Sequence, residues 1–290
     1  MGVLVDECLL SQKISAIVSM VLSLIAMIVT FTFWVKNNDG QSGWLGKLNN
    51  KCVIHAVLMI TGMGFCYTQA VASFRVMSFM GIGHDVAKGF HGFWHTSTII
   101  LVITALIAIV QFHNDQNWGH LSTMHSWLGI LLIAVYSQNW ILGLFHFLFP
   151  WTSLELRKKY LPSHRFFGIL GLFLAAVVME TGIAQKNWLD GTFGCMYTIS
   201  TSEERQNPAT GYLHIGAGCR AGLGVGVLLI LNFIFAVYAL WDFRPVAVAT
   251  SVDTNQPPTT SDTATHQPPK YVELTTTVRD HTEENGRDRV

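Results

Sequence analysis

Six long apolar runs constrain this chain more than any other feature of its sequence. Each holds about 20 residues with almost no charge, the length that an α-helix needs to cross a hydrocarbon core of about 30 Å. The runs lack the alternation of membrane barrel strands, and backbone groups in lipid must be paired within their own segment. The sequence therefore predicts an all-α integral membrane protein with six transmembrane helices. The predicted spans are Ile14–Val35, Val53–Ala72, Gly89–Val110, Ser126–Phe149, Phe166–Ala184 and Ala221–Trp241.

Composition alone does not decide this class. Half of the 290 residues are hydrophobic and 12% are charged, which would also permit a large soluble core. The first run is too long for a signal-peptide core and ends at Trp34, Val35 and Lys36 rather than in small residues, so we expect an uncleaved span. The formal net charge is zero. No basic tract favours nucleic acid, and the lipid bilayer is the main predicted partner.

A histidine lies at the start of each of the four central spans. Because successive spans run in opposite directions, the first and third histidines should share one membrane level, and the second and fourth the other. Ionisable side chains are costly in a membrane and are functional by default. Paired neutral imidazoles are the axial ligands that a low-spin haem iron accepts. The sequence thus predicts a four-helix haem-binding core. Its histidines are His55, His91, His125 and His164.

Any one of these histidines could instead be a hydrogen-bonded or interfacial residue without a cofactor. Four at matched depth in consecutive spans are much harder to explain in that way. His95 follows His91 by four residues and shares its helix face, so only one of the two need bind iron. His113, His120 and His146 are expected at the interface or facing a substrate.

Four short motifs surround the histidines, namely His55–Met59, Lys88–His95, Leu121–Gly129 and Leu161–His164. The gaps are 34 residues from His91 to His125 and 39 from His125 to His164. These features, over roughly Cys52 to Ala184, resemble the cytochrome b561 family of ascorbate-dependent transmembrane electron carriers. In that family the first histidine of the Lys-x-x-His-x-x-x-His run carries the iron, which implies His91 rather than His95.

The resemblance implies two haem b groups, one bound by His55 with His125 and one by His91 with His164. It also implies electron transfer from cytoplasmic ascorbate to monodehydroascorbate or a ferric chelate on the opposite side, with no separate catalytic residue. Cations near the cytoplasmic span ends are expected to meet the ascorbate anion, although basic residues also flank such ends for topology alone. The expected substrate-binding residues are Arg75, Lys88 and Arg157 on the cytoplasmic side and His113 and Asn114 on the other.

Basic residues in the short loops set the expected orientation. Arg157, Lys158, Lys159 and Arg165 crowd one loop, whereas the preceding loop, Phe112–Met124, has none. The crowded loop and both termini should therefore be cytoplasmic. We predict a cytoplasmic N-terminus at 1–13, a six-helix transmembrane cytochrome domain at 14–242 with its haem core at about 52–184, and a disordered cytoplasmic tail at 243–290.

Several questions stay open at this stage. The sequence is compatible with the plasma membrane or with an intracellular vesicle or vacuole, and with a homodimer. Cys195 and Cys219 share one loop and either form a disulfide or remain two thiols. Glu180 is the one carboxylate inside a predicted span. It either exchanges a proton when the nearer haem changes charge or extends to the interface.

Two other classes of function compete with the electron carrier. An ion or metal transporter with an intramembrane histidine relay would also place histidines in facing spans, but it predicts a water-filled path, broken helices and no haem. A structural or scaffold protein leaves the four matched histidines unexplained. Two reduced haem bands per chain would support the carrier, and their absence would support the other two classes.

Overall fold

Six helices make up nearly all of the chain that the structure describes. This computed structural model describes residues 2–32, 50–149, 152–189 and 217–241, which all belong to one unit, Met1–Arg244. Within those ranges no strand forms and six helices are long and apolar enough to cross a membrane, which confirms the predicted class. The helices are α1 (Gly2–Thr30), α2 (Lys51–Phe79), α3 (His84–Asp115), α4 (Met124–Leu148), α5 (Leu154–Leu189) and α6 (Ala217–Leu240).

Several helices extend beyond the apolar runs that predicted them. Because α3 begins at His84 and α5 at Leu154, His91 and His164 lie about two and about three turns inside their helices rather than at the start. Hydropathy detects only the part of a helix that lies in hydrocarbon, and polar turns continue the helix outside it. α1 likewise begins at Gly2, within the predicted N-terminal segment 1–13.

Two predictions fall on parts of the chain that the structure does not describe. The tail at 243–290 lies outside the described residues, so its disorder stays a prediction. Cys195 and the side chain of Cys219 also lie outside them, and the question of a disulfide stays open.

Polar caps fix where α2 and α4 begin. The Asn50 side-chain oxygen accepts hydrogen bonds from the backbone N–H groups of Cys52, at 3.0 Å, and Val53, at 3.4 Å. The Thr123 hydroxyl accepts one from the N–H of Ser126 at 3.3 Å. Such caps satisfy backbone donors that have no partner inside a helix. They place His55 and His125 in the first or second turn, at the same end of the two parallel helices.

The helix packing leaves a gap in the core. α2 packs against α3 and α5, and α4 packs against α5, whereas α3 and α4 scarcely contact each other. α1 and α6 pack together on the far side of α2 and α5. In this arrangement α2 lies diagonally opposite α4, and α3 diagonally opposite α5. The four central helices can therefore enclose a group between α3 and α4.

A π-helical stretch, Ile60–Cys66, interrupts α2 at its middle. The Gly62 carbonyl accepts the backbone N–H of Tyr67, five residues on, and also the Thr98 hydroxyl of α3, which donates to it at 3.2 Å. A Cβ on Gly62 would come within 3.3 Å of the Leu101 Cβ, so glycine permits the close approach of α2 and α3 here. This contact lies between the two ends of the core where the histidines meet.

Candidate functional site

The structure brings the four histidines together as the two predicted pairs. The ring centres of His55 and His125 lie 6.3 Å apart, and those of His91 and His164 lie 6.2 Å apart. Two imidazoles bound on opposite sides of one metal atom, through bonds of about 2 Å, would have ring centres about 6 Å apart. Both pairs therefore have the spacing of axial ligands to a single iron.

Three of the four rings are anchored by a backbone carbonyl of a neighbouring helix. A carbonyl only accepts, so Nδ1 must carry the proton, and Nε2 keeps the lone pair that a metal needs. The Nδ1-to-oxygen distances are 3.0 Å from His55 to Ala105, 2.8 Å from His91 to Ala70 and 3.0 Å from His125 to Val178.

These anchors are reciprocal between α2 and α3. α2 carries His55 near one end and the Ala70 carbonyl near the other, and α3 carries His91 and the Ala105 carbonyl in the same way. Both alanines are fully buried, so the two helices meet closely at each anchor. The contact between α2 and α3 thus orients one histidine of each pair, His55 in one and His91 in the other.

His164 is held differently from the other three. Its Nδ1 is buried and has no hydrogen-bond partner. The ring is instead enclosed by Phe147, whose ring centre lies 5.1 Å away, and by Gly143. The Asn139 amide donates to the His164 carbonyl at 3.3 Å and so fixes the backbone of this turn. Packing therefore orients the one ring that lacks a hydrogen bond.

Two glycines make room for the rings that α4 and α5 carry. A Cβ on Gly182 of α5 would lie 2.7 Å from Cε1 of His125, and a Cβ on Gly143 of α4 would lie 3.0 Å from Cε1 of His164. Each helix has its histidine and its glycine 18 residues apart, since 143 − 125 and 182 − 164 both equal 18. Eighteen residues are five full turns, about 27 Å of rise, so both lie on one helix face. The spacing also separates the two histidine pairs along the bundle.

Each histidine pair lines its own cavity. The His55/His125 cavity has a volume of about 330 Å³ and the His91/His164 cavity one of about 70 Å³. A layer one helical turn thick separates them: Met63 and Leu132 line the first, whereas Tyr67 and Tyr136, four residues further along α2 and α4, line the second. The two cavities therefore follow each other along the bundle.

The three cations expected to bind substrate occupy different positions. Lys88 lines the His91/His164 cavity. Arg75 and Arg157 do not line it and contact carbonyl groups instead: Arg75 Nε donates to Ala239 at 3.0 Å, and a terminal nitrogen of Arg157 donates to Phe149 at 3.2 Å. Each arginine uses one of its five N–H donors in this bond. The structure thus places one of the three directly at the cavity.

At the other end, His113 lines the His55/His125 cavity, and its neighbour Asn114 contacts His120. His120 Nε2 donates to the Asn114 side-chain oxygen at 2.9 Å, and its ring stacks on that of His113 with centres 5.5 Å apart. His120 also lines the cavity. Sequence reasoning expected His120 at the interface or facing a substrate and did not choose, because nothing in its spacing shows which loop residue folds back.

Sequence reasoning placed His95 beside His91 but missed two tyrosines, Tyr67 and Tyr136, that line the same cavity. His95 Nδ1 bonds to the Tyr136 hydroxyl at 2.7 Å, and the His95 ring centre lies 4.4 Å from that of His91. The Tyr67 hydroxyl donates to the Gly168 carbonyl at 2.6 Å. Tyrosines within an apolar run carry no periodic signal, whereas the 18-residue histidine-to-glycine spacing could have been found in the sequence.

Glu180 faces away from both cavities. The nearer of its carboxylate oxygens lies 2.7 Å from where a Cβ on Gly226 of α6 would be, and the other oxygen is buried without a hydrogen-bond partner. Both alternatives for Glu180, exchange of a proton and extension to the interface, stay as the sequence left them.

These features fit haem b at both sites. The paired rings have the separation of axial ligands, the anchored tautomers leave Nε2 to the metal, and glycines leave space beside two of the rings. Fold and site together define the class of a multi-pass membrane cytochrome, in which four helices bring histidines together in two pairs.

Comparison with known proteins identifies the family. Residues 54–190 match the family model for eukaryotic cytochrome b561. The lysosomal membrane ascorbate-dependent ferrireductase CYB561A3 of Bos taurus is 36% identical over 166 residues, which are 57% of this chain and 62% of that protein. The transmembrane ascorbate-dependent reductase CYB561 of Bos taurus is 32% identical over 58% of this chain and 64% of that protein. The corresponding reductase of Sus scrofa is 32% identical over 64% of this chain and 71% of that protein.

The chain therefore belongs to the cytochrome b561 family, as its motifs indicated. Membership implies haem b as the cofactor. The chain spans a little under two thirds of the length of the two bovine relatives.

Proposed function

We propose that this protein is a transmembrane oxidoreductase that transfers electrons from cytoplasmic ascorbate to an acceptor on the opposite side of the membrane. Two haem b groups would be held by His55 with His125 and by His91 with His164. The observation that carries the proposal is the pair of ring separations, 6.3 Å and 6.2 Å, at opposite ends of the same four helices. When bound, haem b supplies a one-electron iron couple at each site.

The chain's own residues favour electron transfer over oxygen chemistry. The two imidazoles of each pair would hold one haem iron between them, and iron held in this way supplies electron transfer rather than binding of an exogenous ligand. The carbonyls of Ala105, Ala70 and Val178 fix three of the rings, so little reorganisation accompanies a change of charge. Two sites at opposite ends also divide a hydrocarbon core of about 30 Å into shorter distances.

The layer between the cavities keeps water out of the path between the two sites. Tyr67 is 1% exposed and Met63 2%, and on α4 Tyr136 is 3% exposed and Leu132 4%. The hydroxyls of Tyr67 and Tyr136 are both hydrogen-bonded within the bundle, so this layer holds no unpaired donor. A dry, closely packed layer one turn thick suits electron transfer and opposes the passage of ions, which is why we prefer the carrier to the transporter.

We place the His91/His164 end at the cytoplasmic face, with both termini on that side. The basic group Arg157, Lys158, Lys159 and Arg165 lies in the sequence just before and after His164, and short loops rich in Lys and Arg are cytoplasmic. Lys88 lies one turn before His91 on the same side.

The ascorbate anion would bind at this end. Lys88 is the first candidate because it lines the cavity that contains His91 and His164. Arg75 and Arg157 would add their remaining guanidinium donors at the rim, where Arg offers a planar fork for a pair of enediol oxygens. On the opposite face His113 and Asn114 would meet monodehydroascorbate or a ferric chelate. The two bovine relatives are named as an ascorbate-dependent ferrireductase and an ascorbate-dependent reductase, which supports ascorbate as the donor and a ferric chelate as the acceptor.

The protein would act in the plasma membrane or in an intracellular vesicle or vacuole membrane, alone or as a homodimer. One of the relatives is named for the lysosomal membrane, which supports an intracellular compartment.

The test uses the full chain in sealed vesicles with ascorbate inside and an acceptor outside. We expect two haems per chain and acceptor reduction that depends on internal ascorbate. His84→Ala serves as a control for the loss of a histidine as such. His84 is an exposed α3 histidine outside both pairs, so this variant should keep both haems. A chain without haem that moves metal ions across the vesicle would instead establish the transporter.

A further inference from the structure

An ion pair bridges two helix ends beside residues that line the His55/His125 cavity. Lys51 Nζ donates to an Asp115 carboxylate oxygen at 2.6 Å, which joins the first residue of α2 to the last residue of α3. The two side chains are 35% and 54% exposed, so the pair lies at the boundary with water. Cys52, next to Lys51, and His113, two residues before Asp115, line the cavity.

Helix stability does not explain this pair. A cation in the first turn and an anion in the last turn both oppose the macrodipole of their own helix. The start of α2 is already capped by Asn50, so Lys51 is not needed there. An exposed ion pair also stabilises a fold very little. Lys51 and Asp115 therefore each destabilise their own helix slightly, and the ion pair between them contributes little to the stability of the fold.

The charge of the pair matters because the cavity itself has none. The described residues that line it include four histidines and polar or apolar side chains, but no Lys, Arg, Asp or Glu. Among the described residues, Lys51 and Asp115 are thus formal charges at the boundary with water, beside a cavity whose lining carries none. Lys51, with three donors on a flexible stem, can turn from one anionic partner to another.

We propose that Lys51 recognises anionic electron acceptors, and that its ion pair with Asp115 positions the Lys51 ammonium group while no acceptor is bound. An acceptor carrying carboxylate or enolate oxygens replaces the Asp115 carboxylate as the partner of Lys51 Nζ, close to His113. The exchange admits anionic chelates and the monodehydroascorbate anion and disfavours cationic complexes. The proposal rests on the proposed electron transfer and names the residue that selects its acceptor.

The test compares anionic and cationic acceptors outside vesicles that hold ascorbate inside. Lys51→Ala should raise KM for ferric citrate about two- to fivefold with kcat unchanged, the effect of one half-exposed charge contact. Asp115→Asn should lower that KM by a similar factor, because it frees Lys51 and removes a repelling charge. Lys51→Arg should behave like the native protein. Monodehydroascorbate, assayed separately, shows whether both anions use the site.

Three comparisons keep the test specific. With tris(1,10-phenanthroline)cobalt(III), a cation, Lys51→Ala should leave KM unchanged or lower it, and Asp115→Asn should raise it. Lys159→Ala removes an exposed lysine at the other end of the bundle and should change neither KM. In the Lys51→Ala protein, adding Asp115→Asn should lower KM for ferric citrate by a smaller factor than it does alone, because only the removal of a repelling charge remains.

A binding measurement separates this proposal from the proposed electron transfer. Gallium(III) citrate resembles the ferric chelate but is not reduced, and calorimetry on the haem-loaded chain should show it binding about two- to fivefold more weakly to Lys51→Ala. Equal affinities, or equal KM changes for anionic and cationic acceptors, would overturn the role of Lys51. Loss of all electron transfer with gallium binding intact would instead count against the proposed function.

Discussion

Replacing Gly182 with alanine should selectively weaken the haem held by His55 and His125. The new Cβ would lie 2.7 Å from Cε1 and 3.1 Å from Nδ1 of His125, whereas ordinary contact begins at 3.4 Å. The ring must therefore move by about 0.7 Å, the difference between 3.4 Å and 2.7 Å. A shift of that size can carry Nδ1 from 3.0 Å to beyond hydrogen-bond range of the Val178 carbonyl.

The cost follows from these two changes. Overpacking a buried site costs about 1–3 kcal/mol, and loss of the hydrogen bond adds about 1 kcal/mol. A total of about 2–4 kcal/mol corresponds to roughly 30- to 700-fold weaker retention of this haem, at about 1.4 kcal/mol per factor of ten. The helix-propensity gain of alanine over glycine, about 1 kcal/mol, offsets part of this cost.

Haem content per purified chain and the reduced-minus-oxidised spectrum would measure the effect. We expect content to fall from two haems towards one, with the bands of the His91/His164 haem unchanged. Gly224→Ala on α6 is the matched control, because its Cβ would meet nothing within 4 Å and Gly224 lines neither cavity, while the helix-propensity gain is the same. Two fully retained haems with unchanged spectra in Gly182→Ala would refute the reasoning.

The remaining predictions use the same spectra or reduction rates. Gly143→Ala should disturb the other haem, but less, since its Cβ would lie 3.0 Å from the His164 ring; equal loss of both haems would contradict this. His125→Ala should remove one haem and keep the other, judged on protein that still inserts. His95→Ala should keep both haems and change only a spectrum or potential, because it breaks the bond to Tyr136. Lys88→Ala should slow reduction by ascorbate about 5- to 150-fold, a contact of about 1–3 kcal/mol, and leave reduction by dithionite unchanged; equal ascorbate rates would show that Lys88 only sets topology.

Several of the residues that matter here could be found from their spacing along the chain. The four histidines stand out because a polar residue in an apolar run is conspicuous, and antiparallel connection of consecutive spans already predicts which of them share a level. The glycines that face their rings lie five turns after the histidine of their own helix, α4 or α5. Only contact distances show that Gly143 makes room for His164 and Gly182 for His125. The partner of Arg75, in contrast, could not be found from spacing, since its Nε donates to a carbonyl 164 residues away.

The sequence by itself determined the six spans, the all-helical class and the candidate ligands. In lipid every backbone group must pair within its own segment, so the secondary structure of each span depends only on its own residues. Only the tertiary structure decided which carbonyl holds each imidazole, that His164 has none, and that Lys51 reaches Asp115 across 64 residues. These contacts join different helices, and their geometry depends on how the helices cross, rotate and approach, which no single segment encodes.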